Sequence, residues 1–230
     1  MGRTIAIILI AVFAYGLLWV FEHMAYQNMV ALFLSIQLIS IAKLEIPVVA
    51  VLLIGIVIID LVVYTFHFLS HHLSFLWRLH SVHHADEHVD AKTGVLHHPI
   101  EVVASLIFLL FFVVILGIPI IALTLYGGLV LFHSLFTHAN IALPKRVEQI
   151  FRWIIVTPDM HRVHHSVDMK EGNSNFGQVF SVWDRVFGTY TAQPAKTKEH
   201  FEIGLAVDEK PEAFSALGLL LHPFIKNRSR

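Results

Sequence analysis

Seventeen of the 230 residues are histidine, and fourteen of these fall between His67 and His165. Their spacing carries chemistry. His67 and His71 are four residues apart. His80, His83 and His84 form an H-x-x-H-H triplet, and His161, His164 and His165 repeat it. On a helix these offsets stack side chains on one face. Two imidazoles four apart can reach one ion, and the one at the third position can reach a second ion beside it. At this histidine frequency a chance triplet is expected about 0.1 times in the chain, and two occur. Neutral imidazole suits iron, zinc, copper and nickel, and a ligating imidazole must be deprotonated. Eight or more histidines exceed one ion's capacity, so two ions are implied. Glu-x-x-His, the ferritin-like carboxylate signature, is absent. So is H-E-x-x-H, because Phe68 stands where glutamate would be needed. An all-imidazole pair of ions with open positions points to redox metal and dioxygen. Spacing alone does not separate iron from zinc.

The elements that position these histidines follow from composition. Hydrophobic residues make up 56% and charged residues 14%, with a mean hydropathy of +0.69. Such a chain cannot cover a water-facing surface with charge, so an integral membrane protein is expected. Sixteen bases against seventeen acids exclude a nucleic-acid binder. No cysteine is present, which removes disulfides, thiolate nucleophiles, cysteine-ligated zinc and iron–sulfur clusters. Apolar stretches run over Ile5–Val20, Met29–Ala42, Ile46–Phe66 and Ile100–Phe136. The first reads as a retained helix rather than a cleaved signal. The second is too short to span and reads as interfacial or as a packed continuation of its neighbours. The last is broken at Gly117-Ile118-Pro119 into two short antiparallel spans. Fourteen of the lysines and arginines lie in 67–99 or 137–230, so these segments are expected on the cytoplasmic face. The expected architecture is all-α and multi-pass: about four transmembrane helices in two hairpins, with a cytoplasmic helical cap holding a histidine-cluster dimetal site.

Several ordered motifs then match one family. They are Asp60-x-x-x-Tyr64-x-x-His67-x-x-x-His71, Leu76-Trp77-Arg78-x-His80-x-x-His83-His84 and His98-Pro99-Ile100-Glu101. His138-Ala139-Asn140 with Leu143-Pro144, Thr157-Pro158-Asp159-Met160-His161-Arg162-Val163-His164-His165-Ser166, Asn175-Phe176-Gly177 and Trp183-Asp184-Arg185-Val186-Phe187-Gly188-Thr189-Tyr190 follow. Over roughly residues 46–190 the chain resembles the fatty acid hydroxylase superfamily, also called the sterol desaturase family. The resemblance implies a single membrane domain over 1–230 and a non-haem diiron enzyme. Such an enzyme activates dioxygen with two electrons and hydroxylates or desaturates an unactivated C–H of a lipid. It implies two iron ions, which zinc can replace in a purified sample, and a separate electron donor, a ferredoxin or a cytochrome type with its reductase. The implied metal ligands are His67, His71, His80, His83, His84, His138, His161, His164 and His165. His133 is a candidate extra ligand. The chain departs from the family at Phe68 and Leu96, where arginine is frequent; both losses of charge bear on headgroup or redox-partner contacts.

Supporting residues have competing roles. Asp159 could orient an imidazole or cap the helix that starts there. Asn140 and Asn175 could orient imidazoles or bind backbone. Trp77, Trp153 and Trp183 read as core or interface anchors. Residues 211–225, ahead of Lys226, Arg228 and Arg230, read as an interfacial helix. A divalent-metal transporter would place its ligands within spans near the midplane. A bis-histidine haem carrier would need only a facing pair. A carotenoid or sterol oxygenase stays open beside a fatty-acyl one.

Overall fold

The computed structural model describes residues 40–195, 201–211 and 214–225. The stretch Ile5–Val20, nearly all of Met29–Ala42 and the basic tail lie outside them. Helix α1 (Val48–His72) has 25 residues and begins behind Pro47. Its run of valine, leucine and isoleucine carries no proline. At about 1.5 Å per residue it is roughly 37 Å long, enough to cross a ~30 Å hydrocarbon core and project beyond it. The sequence pattern ended this span at Phe66, but the helix continues through His67 and His71 because nothing stops it before Leu73. That residue turns to an extended conformation, φ −98° and ψ 116°, and α2 (Ser74–His84) starts at once.

Helices α3 (Pro99–Ile115) and α4 (Ile120–Thr137) are separated at Gly117-Ile118-Pro119, where the break was expected, and each of them packs on α1. Gly117 takes φ +54°, a left-handed position that glycine supplies without Cβ strain. Among the described residues α1 and α4 are long and apolar enough to cross a membrane, while α3 is shorter. Val51, Ile59, Val113, Ile118, Ala122, Tyr126 and Val179 pack into one buried cluster between them. Gly55 permits the closest approach: a Cβ there would meet the Ala122 Cβ at 3.0 Å. Ile41 and Ala42 donate backbone N–H groups to Leu116 and Gly117 carbonyls, at 3.0 and 3.1 Å. The described end of the second apolar stretch is therefore packed on the turn between α3 and α4.

The rest is short helices and loops: α5 (Lys145–Phe151), α6 (Pro158–His164), α7 (Met169–Gly172), α8 (Val182–Val186) and α9 (Ala216–Leu221). Among the described residues no strand forms; the isolated bridges Ile155–Phe180 and Ser166–Ile203 are the β-pairs. A second buried cluster joins Trp77, Val82, Ala85, Leu96, Leu205 and Leu219, so α9 backs onto α2. His222 reinforces this with a 3.1 Å contact between its Nε2 and Ser81 Oγ.

Candidate metal centre

Four elements deliver nine histidines to one place. α1 supplies His67 and His71, α2 supplies His80, His83 and His84, the end of α4 supplies His138, and α6 with its C-cap supplies His161, His164 and His165. α6 starts where Thr157 Oγ1 accepts from Met160 N at 3.4 Å with Pro158 at its first position, a favoured helix entry. The nine sort into two buried groups. His67, His71, His80, His84 and His164 form one; His83, His138, His161 and His165 form the other; within each group the ligand atoms lie within 4.8 Å of one another. Ligands on opposite sides of an ion at about 2.1 Å are about 4.2 Å apart, so each group has the size of one coordination shell. The triplets cross over. His80 and His84 enter the first group and His83 the second, whereas His161 and His165 enter the second and His164 the first. The groups touch: the His84 and His165 rings stack at 4.4 Å.

The outer nitrogens fix the tautomers. Nδ1 of His67 donates to Phe176 O at 2.8 Å, and that of His164 to Ser174 O at 2.8 Å. Nδ1 of His80 donates to Glu101 Oε1 at 2.6 Å and that of His71 to Asn173 Oδ1 at 3.2 Å. A neutral imidazole carries one proton, so Nε2 of each is bare. Nε2 of His67, His71, His80, His84 and His164 is buried without a hydrogen-bond partner. In the second group Nδ1 of His138 donates to Ser134 O at 2.7 Å and that of His83 to Leu96 O at 3.1 Å. Their two bare Nε2 atoms nevertheless lie 3.3 Å apart, and His138 Nε2 is 2.8 Å from His161 Nε2. Lone pairs facing lone pairs repel unless a cation sits among them. The residues present fit a pair of metal ions. Burial holds His83, His84, His161 and His165 well below the usual imidazole range, His138 at about 4 and His164 at about 3, so the lone pairs are free at neutral pH.

A fatty acid hydroxylase family model matches residues 52–189, which contain every one of these histidines. The chain belongs to the fatty acid hydroxylase family. An ornithine lipid hydroxylase of Rhizobium tropici is 31% identical over 149 residues, covering 64% of this chain and 44% of that protein. Alkylglycerol monooxygenases of Danio rerio and Homo sapiens are 28% and 26% identical over 138 residues, 60% of this chain and 30% of each relative. The chain thus spans less than half the length of these relatives. No solved structure matches.

Within this hydroxylase fold the loop 173–177 is the missing half of the first group's support. Asn173, Ser174 and Phe176 hold three of its five histidines, and a buried carboxylate holds the loop. Asp184 accepts from Phe176 N at 2.7 Å, Gly177 N at 2.9 Å and Thr189 Oγ1 at 2.7 Å. Glu101 and Asp184 stood in the quoted motifs without a role; a carboxylate opening or following an apolar run is the signal that finds them. Asn173 and the carbonyls carry no such signal.

Other expected residues sit elsewhere. Asp159 is turned to Arg162 Nη1 at 3.0 Å, half-exposed, and the cap position belongs to Thr157. It neither orients His161 nor caps α6. Asn140 accepts from Arg162 Nη2 at 3.3 Å. Asn175, at φ +53°, donates from Nδ2 to Met160 O and Thr191 O and accepts from Thr191 N; both asparagines miss the imidazoles. His133 is buried near His138 but belongs to neither group. Leu96 is fully buried in the α2–α9 cluster, and Phe68 stacks on His72 at 4.0 Å. A third set, His80, His97 and Glu101, shares His80 and reads as support for it, with Glu101 bridging the two imidazoles.

Proposed function

We propose that the chain is the catalytic core of a membrane-bound diiron oxygenase that hydroxylates a lipid. The observation that carries this reading is the pair of adjacent all-imidazole groups with inward, unprotonated nitrogens. His67, His71, His80, His84 and His164 would hold one iron, and His83, His138, His161 and His165 the other. Bound there, the irons supply reduction of dioxygen and attack on an unactivated C–H bond. The chain's own residues do the rest. Glu101, Asn173 and the carbonyls of Ser174 and Phe176 hold ring planes in place and pin the proton to Nδ1. The surrounding helices bury both groups away from water. The overall balance takes one dioxygen, two electrons and two protons and yields the lipid alcohol and one water.

The relatives support a lipid with a polar head as substrate, because they are named for an ornithine lipid and for alkylglycerols. A separate ferredoxin or cytochrome-type donor would deliver the electrons. Four spans, with the histidine-bearing face cytoplasmic, agree with the distribution of basic residues. A metal transporter is disfavoured, since the groups lie past the apolar parts of α1 and α4 rather than within the spans. Purified with iron, the protein should hold two irons per chain and consume oxygen when given a reductant and lipid. His83→Ala and His164→Ala should each lose metal and turnover; full metal content and turnover in both would sink the assignment.

A further inference from the structure

Among the exposed apolar side chains outside the long helices, one group lies on two segments that are bonded to each other. Ile150, Trp153, Ile154, Val182, Val186 and Phe187 are each between 40% and 66% exposed. They form one surface, because the two segments that carry them are tied together. Ser181 N donates to Ile154 O at 3.1 Å, Ser181 Oγ to Arg152 O at 2.8 Å, and the Arg185 guanidinium lies 4.6 Å over the Trp153 ring. An apolar patch of this size on a water-facing cap would be an aggregation liability.

The contacts beneath the patch set its depth. Asp60, in α1, accepts from Val179 N and Phe180 N at 3.1 Å each and from Trp183 Nε1 at 2.8 Å. Tyr64, one turn further on, stacks on Phe187 at 5.4 Å and meets Thr189 Oγ1 at 2.8 Å. Val179 belongs to the same buried cluster as Val51, Ile59, Ala122 and Tyr126, the interior of the spanning helices. A ~30 Å hydrocarbon core entered at Val48 covers about twenty helical residues, so Asp60 and Tyr64 lie inside it. Whatever is bonded to them lies at that level too.

We propose that residues 150–154 and 179–187 are sunk into the lipid leaflet, with Ile150, Trp153, Ile154, Val182, Val186 and Phe187 facing acyl chains. The proposal rests on the membrane reading of α1 and adds the depth of this loop region. It accounts for two oddities together. Irregular backbone survives at membrane depth only where its polar groups are satisfied within the protein, and Asp60 satisfies two N–H groups of that backbone. A carboxylate inside an apolar span is costly without such partners, and Tyr126 Oη at 2.7 Å completes its shell. Arg185 folds back on Trp153 and Tyr190, donating to Ser181 O at 3.0 Å, so its guanidinium is covered by aromatic rings and hydrogen-bonded within the protein.

The absence of cysteine allows a direct test. The full chain would carry a nitroxide at Ile150→Cys, Trp153→Cys or Val186→Cys, in phosphatidylcholine vesicles, with Leu53→Cys and Lys170→Cys as references. Collision rates are read with oxygen, which partitions into lipid, and with chromium oxalate, which stays in water. The three patch labels should favour oxygen several-fold, like Leu53, while Lys170 favours oxalate. Oxalate collisions at all three, with Leu53 still lipid-like, would overturn the proposal alone. Oxalate collisions at Leu53 as well would overturn the membrane reading beneath it. Dipolar broadening at the patch labels would replace lipid by a second copy of the chain and also overturn it. Metal content equal to that of the unsubstituted chain identifies folded variants.

Discussion

At the scale of the residue, the centre is made by protons that are absent. Six of the grouped imidazoles, His67, His71, His80, His83, His138 and His164, have Nδ1 committed to an acceptor and Nε2 left bare. His80 shows the most polar version, its Nδ1–H held by the buried Glu101 carboxylate at 2.6 Å. Glu101→Gln should weaken metal retention by about 10- to 100-fold while leaving helix content unchanged, as metal analysis after graded chelation would show. The same burial sets a pH dependence. An unfolded histidine takes up its proton below about 6.5, whereas His138 waits until about 4 and His164 until about 3. Between those values the unfolded state binds more protons, so folding stability falls as pH falls. The slope is about 1.4 kcal/mol per pH unit for each such histidine. Thermal unfolding of the metal-free protein in detergent, followed from pH 7 to pH 4, should show midpoints declining through that window and level above it.

At the scale of the element, support comes from close approaches rather than long interfaces. The turn Thr93–Val95 presses on α4 so tightly that a Cβ on Gly94 would meet Ser134 Oγ at 2.8 Å and His138 Nδ1 at 3.0 Å. Gly94→Ala should displace His138 and its carbonyl acceptor together, lowering the metal bound by the four-histidine group before the five-histidine one, as a two-step metal titration would resolve. Asp184→Ala should act on the opposite group. It removes the acceptor for Phe176 N and Gly177 N, at about 1–3 kcal/mol for each buried donor left unpaired, and frees the loop that steadies His67, His71 and His164. A lowered unfolding midpoint with early metal loss from the five-histidine group is the expected result. These elements were unevenly legible in sequence. The long helices and the break at Gly117–Pro119 followed from apolar runs and proline chemistry; eight of the nine histidines stood at helical offsets, and His138 came from the family resemblance. The loop 173–177 was not legible, because it acts through carbonyl groups that every residue possesses. Asp159 misled for the opposite reason: a favourable residue type at a favourable place was captured by Arg162, three residues along the same helix.

At the scale of the molecule, one centre locks together α1, α2, α4 and α6, so metal and fold should be strongly linked. Stripping the metal with a chelator should lower the unfolding midpoint, and restoring iron should recover it, since a ligand bound only by the native state stabilises in proportion to the logarithm of its excess over Kd. An unchanged midpoint would mean that the bare nitrogens are relieved some other way. The crossing of the triplets has a further consequence, for the lengths this chain can tolerate. Each triplet helix feeds both groups, and one inserted or deleted residue rotates everything beyond it by about 100°. Such a change between His80 and His84, or between His161 and His165, would hand ligands to the wrong neighbour or to none. Variation in chain length among functional descendants should therefore spare both five-residue windows entirely.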